Sequence, residues 1–408
     1  MPSAAAFSDR PHPAAEPASR QSAATTRAFT DVEIFASVAA AHDAWAEIAP
    51  LAGASPYQGY DFTRSWAETA GVAHGVAPLI VVARDAAGAA VARLPRGAGD
   101  FGPLRLARFL GVKDLNFNLG LFRRQDVWRP SDVIALLAAA ARAAQPRIDA
   151  FLFVNQPREW LGAPNPLVGL RSQPSPCLAY KSALPEDFSL WLTAHASRDA
   201  QKKLRKKAKH LEAMGPVAHR LAADPVEAAR LIDAFFIQKS ERMRELGLVN
   251  AFDDAEAREF LVRFADCGRA AGSPDLELHG LFVGDRIAAT FGALVGGDRV
   301  SGLFVSNDND REIARNSPGE LIIQAAVRDA IARGFKTFDL GVGEADYKCK
   351  TCEAGEPLFD TAFAVTLIGR LAAWAFLAAQ RAKRSVKRSP RLKALYGRLR
   401  RLRDRSGE

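Results

Sequence analysis

SPGELIIQAAVRDAIARGFKTFDLGVGEADYK, residues Ser317–Lys348, decides how the rest of this sequence is read. Leu321, Ile322, Ala325, Ala326 and Ile331 recur at the spacing of one helix face, which predicts an amphipathic helix over 319–333. Pro318 suits a first helical position, because the amide proton it lacks would have had no partner there. Ser317 is a candidate cap, and Gly319 lets backbone amides approach a bulky anion. A helix start offers free N–H groups and the positive end of the dipole, so Arg315, Asn316, Ser317, Gly319 and Glu320 form a candidate loop for a phosphate or pyrophosphate. An ordinary capped helix fits the same residues. Downstream, Gly334 ends the helix, KTFDL (336–340) is a short strand, and a Gly-rich turn leads to Tyr347 and Lys348.

Working outward, three strands precede this stretch. LELHGLFV (276–283), RIAATFGALV (286–295) and RVSGLFV (299–305) are separated by Gly284-Asp285 and by Gly296-Gly297-Asp298, which read as a meander of hairpins. Further upstream lie a helix over 186–194, a basic helix over 197–213 broken by Gly215-Pro216, strand VAHRL, and helices over 225–246 and 254–271. A strand over 361–367 follows the Gly-rich turn. The first half repeats a similar order: TDVEIFA (30–36), helical segments near Ala39–Ala49 and Phe62–Ala70, PLIVVARD (78–85), a Gly/Pro-rich connection, a helix over 131–145 and IDAFLFV (148–154). The fold class expected is mixed α/β, with a mostly antiparallel sheet flanked by helices and occurring twice. The boundaries expected are a disordered tail over 1–28, a first domain over 29–180, a second over 181–368 and a basic helical tail over 369–408. Residues 155–180, rich in Pro and Asn, are read as the connection.

The bulk properties agree with a two-domain globular protein. The chain has 408 residues, more than one hydrophobic core normally supports. Its pI near 9.5 describes a tail rather than a surface. Twelve of the 55 Lys/Arg fall in 381–408 against only Asp404 and Glu408, leaving 43 basic and 44 acidic residues elsewhere. That balance excludes a nucleic-acid argument from overall charge. Four scattered cysteines and no signal peptide point to a reducing cytoplasm, with peripheral attachment at the inner membrane face as a further expectation. Cys349-Lys-Thr-Cys352 has no second CxxC or close His pair beside it, so no metal site is expected.

The ordered set of motifs resembles a known family. WLTAHASRDAQKKLRKKAKHLEAMG (191–215), the SPG loop, FDLG and Tyr347-Lys348 resemble GNAT-type acetyltransferases associated with cellulose and exopolysaccharide synthesis (CelD-like), relatives of the Fem aminoacyl transferases. The resemblance covers about 185–368, with FLGVKDLNFN near Phe109 marking a degenerate first GNAT lobe. The loop departs from the full Gln/Arg-x-x-Gly-x-Gly/Ala pattern of well-studied GNAT enzymes. The resemblance implies tandem GNAT-like domains, acetyl-CoA or another acyl-CoA as co-substrate, and an amine acceptor on a sugar, polysaccharide precursor or small envelope metabolite. It keeps two alternatives open: Fem-like transfer from aminoacyl-tRNA to a peptidoglycan precursor, and a non-catalytic scaffold of an envelope-polysaccharide complex.

Acyl transfer to an amine needs an unprotonated nucleophile, a polarised thioester carbonyl and a proton for the leaving thiolate. No other tyrosine lies between Tyr180 and Tyr396, so Tyr347 is the candidate phenolic acid of the second domain. Lys348 can neutralise an oxyanion or phosphate. Asp339 can orient the amine or take its proton through water, with Glu344 and Asp346 as rivals. Glu277 and His279 share one face of a strand and form a further candidate base pair. The helix from Arg198 to Lys209 carries seven Lys/Arg and one acid, Asp199, and suits CoA phosphates, an anionic acceptor or tRNA. The basic 381–405 segment, preceded by Trp374 and Phe376, suits an anionic membrane surface.

Overall fold

The computed structural model describes residues 28–101, 104–111, 116–247, 250, 255–270, 275–353 and 355–389. The 1–27 tail, residues 112–115 of the FLGVKDLNFN motif and the tail beyond 389 lie outside the described residues. The first half contains β1 (Asp31–Phe35), α1 (His42–Ala52), α2 (Tyr60–Trp66), β2 (Ala77–Arg84), β3 (Ala90–Phe101), β4 (Leu104–Phe109), β5 (Leu121–Phe122), α3 (Pro130–Ala143) and β6 (Ala150–Pro157). A small hairpin, β7 (Glu159–Trp160) with β8 (Ala163–Pro164), leads to β9 (Ser172–Ala183). The second half contains α4 (Phe188–His195), α5 (Arg198–Glu212), β10 (Val217–Leu221), α6 (Pro225–Glu245), α7 (Ala255–Ala270), β11 (Leu276–Val283), β12 (Arg286–Gly296) and β13 (Arg299–Asn307). It closes with α8 (Arg311–Ala314), α9 (Pro318–Ala332), β14 (Thr337–Val342), α10 (Asp346–Thr351), β15 (Glu356–Ala364) and α11 (Leu367–Arg388).

One continuous sheet joins the two halves, in the order β1-β2-β3-β4-β6-β15-β9-β14-β13-β12-β11-β10, with β5 added on β3. Each half is an antiparallel meander followed by one parallel pair, β4 with β6 and β13 with β14. The order is the same read from either end, with one exchange at the middle. β9, the last strand of the first half, lies on β14, and β15, the last strand of the second, lies on β6. The two exchanged strands also pair with each other.

This arrangement corrects two expectations. Residues 155–180 are more than a connection, since β9 is a central strand. Its prolines hid it: Pro174 and Pro176 lack ladder donors, and they fall where β9 has β15 on one side but has not yet met β14. The Gly/Pro-rich stretch after residue 85 is also strand, β3 and β4, rather than a loop. The final strand begins at Glu356, five residues before the expected 361.

Helix α9 forms where its sequence signals put it, although Leu321 and Ala325 of the expected apolar face are only half-buried. Ile322, Ile323, Ala326, Val327, Ala330 and Ile331 are buried against Phe291, Val300, Phe338 and Leu340. Each large apolar side chain so buried contributes about 1.5–3 kcal/mol. The helix ends in a Schellman motif, with Gly334 at φ +84°, its N–H on Ile331 O, and the Phe335 N–H on Ala330 O. Helices cover both faces of the sheet: Phe151 and Phe153 of β6 pack under α3, while Ala150 and Leu152 pack under α11.

Candidate active site

The parallel strands β13 and β14 pair only at Arg299↔Thr337, Val300↔Phe338 and Ser301↔Asp339. Beyond that point β13 stays with β12 and β14 stays with β9, so the two part. A bulge helps them do so, because Ala293 faces Gly302 and Gly292 faces Phe304, leaving Leu303 as an extra residue on β13. The result is a gap between two strand ends, next to the start of α9.

Residues from the first half reach into this gap. Asn116 donates through Nδ2 to Gly302 O of β13 at 2.9 Å and accepts through Oδ1 from the Val342 N–H of β14 at 3.0 Å. Its carboxamide thus spans the parted strands in place of the ladder. Tyr57 OH donates to the same Gly302 O at 3.1 Å and accepts from Asn116 at 2.7 Å. Burial, then the charge of Asp339, holds the Tyr57 hydroxyl protonated far above its ordinary range. Gly341, at φ +71°, is required here, since a Cβ would overlap the Asn116 carboxamide.

Asp339 is fully buried and its oxygens are engaged. Oδ2 accepts from Arg299 Nε and from Ser301 Oγ, each at 2.7 Å, and Oδ1 accepts from the Gly341 N–H at 3.0 Å. Arg299 is itself buried, with its guanidinium 4.4 Å from the Trp160 ring centroid and 5.7 Å from that of Phe117. Asp339 therefore braces the last paired rung of the parallel strands.

Lys348 lies at the other wall. Its ammonium donates to Val342 O at 2.9 Å, at the end of β14. Burial, opposed by Asp339 and the nearby thiols and assisted by Lys239 of α6, lowers its pKa to about 8. Tyr347, beside it on α10, packs against the α9 core, and burial raises its phenol to about 12. Glu344 and Asp346 are exposed on the turn and the first residue of α10. Cys349 is exposed, whereas Cys352 is buried and its thiol is pushed up to about 12.

The loop Arg315–Glu320 opens α9 close to the end of β13, where Asn307 neighbours Gly319. Ser317 takes φ +53°, a left-handed conformation that favours glycine, and its side chain does not cap α9. Its Oγ instead accepts from Lys207 Nζ at 2.7 Å, which docks the basic helix α5 on the start of α9. Asn316 is buried and donates to Glu312 O, Arg315 pairs with Glu312 on the surface at 2.6 Å, and Gly319 has room beside Asn307. The outer side of α5 exposes Arg198, Lys202, Lys203, Arg205, Lys206 and Lys209, none ion-paired among the described residues.

The candidates do not all converge. Asp339 and Lys348 border the gap, Tyr347 lies next to Lys348, and the loop lies beside the end of β13. Glu277 and His279 sit on β11, two strands away. Glu277 pairs with Arg333 at 2.5 and 2.9 Å, and His279 is buried against His219, with ring nitrogens 3.0 Å apart. Burial, then the charges of His219 and Arg333, lowers His279 to about 3. Sequence reading missed Tyr57, Asn116, Arg299, Ser301 and the Lys207 contact. Arg299 and Ser301 did leave a signal, since they are polar positions at the start of an otherwise apolar strand.

Residues 198–349 match the family model described as an acetyltransferase (GNAT) domain. No curated protein shows significant similarity in sequence. Among solved structures, the C-terminal domain of a putative lysylphosphatidylglycerol synthetase from Agrobacterium fabrum aligns with a TM-score of 0.50 at 14% identity, over 84% of this chain and 96% of that one. FemX aligns with a TM-score of 0.50 at 11% identity, over 73% and 91%. At these identities the likenesses show the fold. The second half carries a GNAT domain, and the protein is a GNAT-fold acyltransferase.

Proposed function

We propose that the second half transfers an acyl group from acyl-CoA, acetyl-CoA in the simplest case, to an amine. The observation that carries this reading is the coincidence of a parted parallel strand pair with an uncapped helix start whose Ser317 hydroxyl is held by Lys207. In this reading the thioester arm runs past the Asn116 bridge at the outer end of the parted strands, and its pyrophosphate meets the Arg315–Glu320 loop, where dipole, free amide and cations favour negative charge. The amine nitrogen attacks the thioester carbonyl carbon, the C–S bond breaks, and the thiolate takes the Tyr347 proton. With its phenol near 12, Tyr347 keeps that proton through the working pH range. Lys348 neutralises the oxyanion, and Glu344 accepts the amine proton through water. Asp339, with its oxygens engaged, acts as a positioning residue that fixes β14 against β13.

The acceptor class, a sugar amine or envelope polysaccharide precursor, follows from the family resemblance, and a cytoplasmic location follows from the donor. Calorimetry with acetyl-CoA tests the donor. We expect saturable binding that Gly319→Trp abolishes; no binding, or a variant equal to wild type, overturns the assignment. Tyr347→Phe should lower kcat by about 10²–10⁴-fold with binding retained, and full activity in that variant would sink the general-acid role.

The unpaired cations of α5 favour one second reading, a Fem-like aminoacyl-tRNA donor. It predicts salt-sensitive tRNA co-purification that is lost when Lys202, Lys203, Arg205 and Lys206 are replaced by Gln.

A further inference from the structure

Helix α11 is docked along its length yet presents an apolar stripe outward. Thr366 caps its start, and Gly369, Ala373, Leu377 and Gln380 face the sheet. Gln173 of β9 donates to Leu377 O at 2.9 Å, and Lys387 near the far end donates to Cys177 Sγ at 2.7 Å. On the opposite side, Leu367, Leu371 and Trp374 are 77%, 70% and 64% exposed. Their spacing, continued by Ala378, places them on one helix face. Ile368 borders that stripe at 43% exposure. Four of the fifteen large apolar side chains exposed among the described residues thus fall within eight consecutive positions.

Charge around the stripe is one-sided. Helix α11 contains no Asp or Glu and six Lys/Arg. Arg370, Arg381 and Arg388 run along one flank, all exposed. The sequence continues over 390–408, outside the described residues, with seven more Lys/Arg against Asp404 and Glu408. An apolar ridge bearing Trp, lined by cations on one flank and free of acids on its own helix, matches an anionic lipid surface in both hydrophobicity and charge. A protein partner would have to be both apolar and acidic to match it as well. No described helix is long and apolar enough to cross a membrane, so α11 would lie on the surface.

We infer that α11 is a membrane-docking helix that inserts Leu367, Leu371 and Trp374 among the headgroups of an anionic bilayer. The inference does not depend on which acyl donor the site takes. The test is flotation of the full chain with phosphatidylcholine vesicles, with or without about 30% phosphatidylglycerol, at low and high salt. Wild type should float with the anionic vesicles only, and less at high salt. Leu371→Glu/Trp374→Glu should reduce the bound fraction by at least about tenfold while leaving Tm and acyl-CoA binding unchanged. Brominated lipid should quench wild-type fluorescence more than that of Trp374→Phe. Wild type failing to float, or a charged-stripe variant floating equally well, overturns the inference. A wild-type dimer that the same variant dissociates, without vesicle binding, would assign the stripe to a second copy and overturn it too.

Discussion

The two halves share a strand order and differ most at one helix start. In the first, α3 begins at Pro130, and the Arg129 N–H donates to the Asp132 carboxylate at 3.1 Å. That carboxylate folds back on the positive end of the helix, so the place where an anion would dock already holds one. In the second half the equivalent helix, α9, begins at Pro318 with no side-chain cap, and a lysine from α5 holds the loop. Glu320, the acid of its first turn, does not fold back on Ser317, whose N–H goes to Ala314 O. The strand gaps differ as well. Around the β4–β6 pair, Asn118 is buried with both amide atoms unpartnered among the described residues, and its N–H meets Asn155 O at 3.2 Å. Asn116, two residues earlier, crosses to the other gap. The repeated fold thus has one helix start that already holds a carboxylate and one that does not, and the first half lends Asn116 and Tyr57 to bridge the parted strands of the second.

The largest effect should come from breaking the buried ion pair within the second half itself. Arg299→Met leaves Asp339 buried without its cation, and we expect a loss of about 3–5 kcal/mol in denaturant unfolding. The position in the first half that matches the Arg299 rung has no ion pair to lose, so substitution of Leu106 by Met should cost far less. The helix starts can be separated by a matched pair. Lys207→Ala should weaken acetyl-CoA binding by about tenfold by calorimetry, as loss of one charge-assisted contact predicts. Asp132→Ala should leave that affinity unchanged and cost about 1 kcal/mol of stability, the usual cost of a lost cap. If Asp132→Ala weakened donor binding instead, the assignment of roles to the two halves would be reversed.

Lys348 gives a pH test. Its folded pKa near 8 lies below the ordinary lysine value, so its charge is present at neutral pH and lost above about 8. Activity should decline over that range, and Lys348→Arg should extend the plateau to higher pH. Stability moves the other way. A depressed lysine pKa means that the folded state holds fewer protons than the unfolded one between about 8 and 10.5, so this residue's contribution is fully present above 10.5 and fades as pH falls through 8. The smallest effect is expected at Ser317→Gly. Relief of the left-handed backbone, about 1 kcal/mol, is offset by loss of the Lys207 hydrogen bond and by glycine's extra unfolded-state entropy, for a net change within about 0.5 kcal/mol in thermal unfolding.

Much of the second half was legible because its signals are local. Gly284-Asp285 and Gly297-Asp298 mark two hairpin turns, and Pro318 and Gly334 bracket α9. The exchange of β9 and β15 was not legible, since nothing in SQPSPCLAYKSA states which strand it will join. Nor was the role of Asn116, which meets Gly302 at 186 residues' separation. Asp339 could be read as a turn carboxylate from its Gly341 bond, which is local. Its partner Arg299 lies 40 residues away. Local chemistry shows in one-dimensional spacing, whereas partners brought together by the sheet show there only as polar residues in apolar company.

The exchanged strands also carry a consequence in time. The first half emerges from the ribosome before the second, yet its sheet cannot be completed until β15 follows, some two hundred residues after β6. Until then β6 presents an unsatisfied edge, the kind of surface that invites mispairing. The half that is made first is therefore finished last, and its closure reports that the second half has already been laid in place.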